Sequence, residues 1–240
     1  MKIAFISDIH GNSVALEAVI ADIRSKSMDQ IYVLGDLCYR GPDPKGSLER
    51  IRSLQTLVIK GNADEWVVRG VRAGEVPEQV LDMMNREREW TVGRLEQTDI
   101  EYLQSLPTEL ELTIEDVKIH AFHATPDSLF EIVLPHTDDD LLVTKLMSGK
   151  EADVYLYAHI HKPYIRYLNG KVIMNIGSVG LPFDGLAQAS YGIVEVEQGN
   201  LRTSIVRVQY PIEKVIQQYE AVHYPNAEMM TRIVRNARVK

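Results

Sequence analysis

Ile3-Ala4-Phe5-Ile6-Ser7-Asp8-Ile9-His10 decides how this chain is read: four apolar residues, one small polar residue, then an acid and an imidazole two positions apart. A short continuous apolar run reads as a buried strand. An acid and an imidazole directly after it stand where strand gives way to loop, and α/β folds gather their active sites there. The arrangement recurs. Ile31-Tyr32-Val33-Leu34 leads to Gly35-Asp36, and Leu57-Val58-Ile59 leads to Gly61-Asn62. The run from Val117 to Phe122 leads to His123, and Val154-Tyr155-Leu156-Tyr157 leads to Ala158-His159-Ile160-His161. A sixth island is Asn175-Ile176-Gly177-Ser178.

Carboxylates, imidazoles and an amide oxygen suit manganese, iron or zinc in five- or six-coordinate sites, whereas structural zinc rich in thiolate needs more than the single Cys38. Asp8, His10, Asp36, Asn62, His123, His159 and His161 are too many ligands for one ion. Two ions sharing a carboxylate accommodate them, and a pair ~3.5–4 Å apart is an arrangement that clamps a phosphoryl group and acidifies a shared water. Lys162-Pro163 directly after His159 and His161 supports a strand break there, so both are read as loop residues facing one centre. No residue set suggests an organic cofactor.

In these islands the chain resembles the calcineurin-like metallophosphoesterase superfamily, whose pattern D-x-H, G-D, G-N-H-[DE], H, G-H-x-H is met in order from about Met1 to Asp184. The resemblance implies that Asp8, His10 and His161 hold one metal, that Asn62, His123 and His159 hold a second, and that Asp36 bridges them. It implies two divalent transition-metal ions, manganese foremost, with iron, zinc or nickel as alternatives. Asn175, Gly177 and Ser178 match the N-x-G-S turn of the small prokaryotic phosphodiesterase branch, and Gly180, Pro182, Asp184 and Gly185 continue its tail. The implied activity is hydrolysis of a phosphate ester, a phosphodiester or nucleotide, by a metal-bridging hydroxide attacking in line. The catalytic set is then Asp36, Asn62 and Arg40.

Three departures qualify this. Ala63 stands where many members place the His that protonates the leaving group. Ala158 replaces the Gly before the first His of the last motif, a small-for-small change. Gly35-Asp36-Leu37-Cys38-Tyr39-Arg40-Gly41 resembles the G-D-x-x-x-R-G of protein phosphatases and dinucleoside polyphosphate hydrolases, so Arg40 is a candidate phosphate clamp, with a solvated side chain near Asp43 as the plainer reading. That motif keeps a phosphomonoesterase, phosphoprotein phosphatase or dinucleoside polyphosphate hydrolase open as the alternative function. A non-catalytic metal-bearing scaffold is the remote one, and its mark, lost ligands, is missing.

With 240 residues and 45% hydrophobic content, the chain can bury one substantial core; we expect a single domain over 1–240 with a helical insert at about 64–106. A net charge of -8 gives no footprint for sequence-independent nucleic-acid binding, but metals let a small phosphorylated substrate approach. No apolar run nears the ~20 residues of a membrane span. One cysteine and a start leading straight into a strand point to the cytoplasm; a homo-oligomer is left open.

The first sixty residues read as strand, helix, strand, helix, strand. Asn12 or Ser13 caps a helix whose Leu16, Val19, Ile20 and Ile23 form one apolar stripe. The insert reads as two or three helices, one starting at Pro77. Glu109–Ile114 and Val117–Phe122 read as a hairpin over Glu115-Asp116, followed by a helix over Asp138–Met147. Tyr164–Leu168, Lys171–Asn175, Tyr191–Val196 and Leu201–Val208 read as hairpins of a second sheet, and Ile212, Val215, Ile216 and Tyr219 mark a C-terminal helix. Together these elements, and the resemblance, give an α/β fold: a four-layer α/β/β/α sandwich of two mixed sheets. Plainer roles are expected for His120 (packed or hydrogen-bonded), His136 and His223 (solvated), and Cys38 (a small strand-end residue). Trp66, Met83, Met84 and Trp90 read as the insert's own core, with base stacking as the functional alternative.

Overall fold

The computed structural model describes residues 1–238. β1 (Lys2–Ile6) is followed by α1 (Ser13–Ser25), β2 (Gln30–Val33) and α2 (Pro44–Ser53). α1 starts where expected, with Asn12 Oδ1 accepting from the Ala15 N–H at 3.0 Å. The insert is three helices, α3 (Asn62–Arg69), α4 (Glu78–Val92) and α5 (Gln97–Ser105). Then come β3 (Glu109–Ile114), β4 (Val117–Phe122), α6 (Asp139–Leu146), β5 (Val154–Tyr157), β6 (Tyr164–Leu168) and β7 (Lys171–Asn175). The chain continues through β8 (Ala189–Glu197), β9 (Asn200–Val208), α7 (Ile212–Ala221) and α8 (Ala227–Asn236).

Two mixed sheets form, in the orders β2-β1-β8-β9 and β3-β4-β5-β7-β6. β1 and β2 are parallel, as are β4, β5 and β7, so several strands end on the same edge. Between the sheets lie Ile3, Phe5, Leu34, Ile119, Leu156, Met174 and Val194, a core drawn from both. Ala4 and Ile6, on the opposite face of β1, pack with Leu16, Val19 and Ile23 of α1, with the insert and with α7 and α8. Tyr155, Tyr157 and Ile173 pack outward against Leu142 and Leu146 of α6. Helices, sheet, sheet, helix: the four layers follow from strands that are apolar on both faces.

Two expectations need correction. Leu57-Val58-Ile59 forms only a parallel bridge between Val58 and Val33, with Leu57 53% exposed, because three residues at a sheet edge leave one face without cover. The four late strands do not share a sheet: β6 and β7 complete the β4-β5 sheet, whereas β8 pairs antiparallel with β1. Alternation marks a strand's buried face but carries no information about its neighbour. The candidate ligand Asn62 is the first residue of α3.

Candidate metal centre

All seven candidate ligands come together at the strand ends. Asp8, His10, Asp36, His159 and His161 all have positive φ, between 47° and 65°. The left-handed conformation is costly for residues with a Cβ, and such strain concentrates at functional sites. Here it bends the backbone just past the ends of β1, β2 and β5, where these five candidate ligands sit. Two glycines allow the loops to close, since a Cβ on Gly61 would collide with Asp36 Oδ1 and one on Gly41 with the His10 carbonyl.

One set comprises Asp8, His10, Asp36 and His161, each offering an atom within 4.8 Å of the others. His10 Nδ1 lies 2.9 Å from the Tyr39 carbonyl and His161 Nδ1 lies 2.5 Å from the Leu181 carbonyl. A carbonyl only accepts, so both Nδ1 atoms carry the proton and, with the rings neutral, both Nε2 atoms present lone pairs. These Nε2 atoms are 3.2 Å apart, and Asp8 Oδ1, buried with no hydrogen-bond partner, lies 3.2 Å from that of His161. Facing lone pairs and an orphaned carboxylate oxygen make a poor hydrogen-bonding arrangement and a good cation site, so the residues fit a divalent ion.

The second set surrounds Asn62. Its Oδ1 lies 2.9 Å from His123 Nε2 and 2.8 Å from His159 Nδ1. Asp36 stands between the sets, with Oδ2 3.5 Å from His10 Nε2 and Oδ1 3.5 Å from His123 Nε2. His123 donates its Nδ1 proton to the Leu34 carbonyl at 2.7 Å. Burial pulls this imidazole down, but the Asp36 and Asp8 carboxylates outweigh it and raise it to about 9. Burial takes His10 down to about 4, and burial with the neighbouring His123 takes His159 to about 4. Asp36 is held below the usual carboxylate range: burial opposes ionisation, but His123, His10 and His159 overcome it.

The sequence marks Ser178 in its N-x-G-S turn, but the bracing roles of Asp64 and Ser178 emerge only in the fold. Asp64, fully buried, accepts the backbone N–H groups of Asp36, Leu37 and Gly61 at 2.8–2.9 Å, tying the Asp36 loop to the Asn62 helix. An acid two residues after Asn62 was the available signal. Ser178 donates to the Asp8 carbonyl at 2.7 Å and accepts from the Leu181 N–H at 2.8 Å, while Leu181 orients His161. The N-x-G-S turn therefore braces two candidate ligands.

Arg40, φ +70°, lines the same cavity of about 160 Å³ as His10, Asp36, Asn62, Ala63, His159 and His161. Its Nε lies 3.2 Å from buried Glu87 of α4, and Nη2 lies 3.3 Å from Met230 Sδ of α8. It is neither a free surface side chain nor an unengaged clamp. His120 lies 2.9 Å from Glu109, away from the centre, and His136 and His223 are exposed, all as expected. Burial raises the Cys38 thiol well above its ordinary range, which fits the plain structural role. Trp66 packs edge-on to Tyr39 and near Phe130, and with Met84 it belongs to the core that includes α7 and α8.

A family model described as the calcineurin-like phosphoesterase superfamily domain matches residues 1–199. The chain belongs to that superfamily. It is 31% identical over 233 residues to an uncharacterized protein of Methanocaldococcus jannaschii, covering 88% of this chain and 89% of that protein. In fold it is similar to a metallophosphoesterase from Sphaerobacter thermophilus, with TM-score 0.80 at 24% identity over 99% of both chains. A hypothetical protein from Pyrococcus horikoshii matches with TM-score 0.84 at 22% identity over 98% of both. The superfamily is metal-dependent, and the Asp and His cluster above is where this member could bind metal.

Proposed function

We propose that this protein is a dinuclear-metal phosphoesterase acting on phosphodiesters or nucleotides. The observation that carries the reading is Asp36, whose two carboxylate oxygens face two separate donor sets. Asp8, His10 and His161 would hold one ion, Asn62, His123 and His159 the other, and Asp36 both. Manganese fits this oxygen- and imidazole-rich set, with iron, zinc and nickel as alternatives. Bound ions would supply Lewis acidity toward phosphoryl oxygens and a water acidic enough to ionise near neutrality. The chain's own part is positioning: backbone carbonyls fix the imidazoles, Asp64 locks the two loops, and buried walls exclude bulk water. Arg40 would meet an equatorial phosphoryl oxygen. The lining of the cavity includes no imidazole at position 63, so the leaving oxygen departs without the acid that related enzymes place there.

The substrate is a small phosphorylated molecule, and the buried Cys38 is compatible with a reducing cytoplasm. Among the described residues no helix is long and apolar enough to cross a membrane. A second reading, hydrolysis of monoesters, phosphoproteins or dinucleoside polyphosphates, is favoured by the place of Arg40 in the cavity wall. An activity panel on metal-reconstituted protein, set across aryl diesters, aryl monoesters and nucleoside polyphosphates, separates the two. Faster diester hydrolysis supports the first reading, faster monoester or anhydride hydrolysis the second, and no hydrolysis with any metal defeats both.

A further inference from the structure

The cavity over the candidate metal centre, at about 160 Å³, lies below the ~300–1,000 Å³ of sites that enclose a whole small molecule. It takes a phosphoryl group and little more, so the arms of an ester must extend beyond it. A second depression of about 460 Å³ adjoins it, sharing His159 and Phe183 as walls. Ile132, Leu134 and Ile160 make its floor and sides apolar, and Lys162 and Arg238 add positive charge. Among the described residues, no carboxylate is in the lining. The acids next to it in sequence are engaged elsewhere, Glu131 with Lys145 at 2.6 Å and Asp184 with Arg207. Ile132, 67% exposed, is an apolar side chain left open to water beside a reactive centre. Phe183 stacks on His161 with ring centroids 4.2 Å apart, so a wall of the groove is fixed to a candidate metal ligand.

Resting on the phosphodiesterase reading, we infer that this groove binds the arm of the diester that stays on phosphorus, and that the preferred arm is apolar or aromatic with an anionic group at its far end. Apolar walls gain from burying such an arm, and the positive charge of Lys162 and Arg238 in the lining favours a negative terminus. Binding energy from a non-reacting arm can be used to hold the reacting phosphorus in place.

The test is a series of p-nitrophenyl diesters on manganese-reconstituted protein, with a constant leaving group and a second arm of methyl, phenyl, naphthyl or carboxyalkyl-phenyl. kcat/KM should rise roughly tenfold or more from methyl to naphthyl, and further with the carboxylate. Within one preparation of Ile132→Asp the naphthyl-to-methyl ratio should collapse, and in Lys162→Glu the carboxylate preference should invert. Ratios within a preparation do not depend on how much protein is folded. A flat series in wild type, or ratios unchanged in both variants, overturns the groove while leaving the phosphodiesterase reading intact. Hydrolysis of no member overturns that reading and the groove with it.

Discussion

His10 and His161 face each other through Nε2 atoms 3.2 Å apart, each having given its Nδ1 proton to a backbone carbonyl. Two lone pairs brought this close in a buried site repel unless a cation or proton lies between them. His10→Ala should therefore chiefly disturb the set of Asp8 and His161, whereas Asp36→Asn should weaken both sets. Elemental analysis after dialysis checks this. Equal loss of metal from both sites in both variants would show that Asp36 does not bridge.

The metal-free protein should be most stable near pH 6.5. His10 and His159, lowered to about 4, are neutral when folded but take a proton at about 6.5 when unfolded, so stability falls as pH drops from 6.5 toward 4. His123, raised to about 9, holds its proton when folded, so its contribution is complete below 6.5 and is lost as pH rises through 9. Thermal melts of metal-free protein from pH 4 to 9.5 should trace this dome, and His123→Asn should flatten its alkaline side. A wild-type melting temperature that rises from pH 7 to 9 would contradict the assignment.

Glu87, fully buried, stands beside Arg40 and takes a hydrogen bond from Asn226 at 3.0 Å. Arg40→Ala should leave metal content unchanged and lower kcat/KM by about ten- to a hundredfold, the usual effect of losing one charged hydrogen bond. Glu87→Gln should lower it less, because the guanidinium stays but is held less firmly. Kinetics of both variants on an aryl diester check this; wild-type values for Arg40→Ala would remove Arg40 from the site.

Ala63 lines the cavity and gives its N–H to Asp36 Oδ1 at 2.7 Å, but brings no proton donor in its side chain. The Tyr39 hydroxyl donates to the Met84 carbonyl at 2.7 Å, and His136 is exposed and outside the cavity lining. Rates should then depend steeply on leaving-group pKa, since a positioned acid contributes roughly 10²–10⁴-fold. Ala63→His should help alkyl esters most. Equal chemical-step rates for aryl and alkyl leaving groups in wild type would defeat the argument.

The candidate ligands were legible because each follows a short apolar run, and chemistry-bearing residues at strand ends leave a local mark. The N-cap of α1 and the helix behind Asp138 were equally local. Partnership was not legible. Nothing in Tyr191–Val196 says that it pairs with β1, nothing near Arg40 announces Glu87 or Met230, and the walls at Ile132 and Leu134 lie on a stretch without periodicity. These depend on contacts between residues far apart in sequence, which composition and spacing do not encode.

The most direct measurement of the central claim is diester hydrolysis followed against the number of manganese ions bound per chain during titration of metal-free protein. Activity should stay low through the first equivalent and reach its plateau at the second. Full activity at one ion per chain, or two bound ions with no hydrolysis of any phosphate ester, would contradict the account.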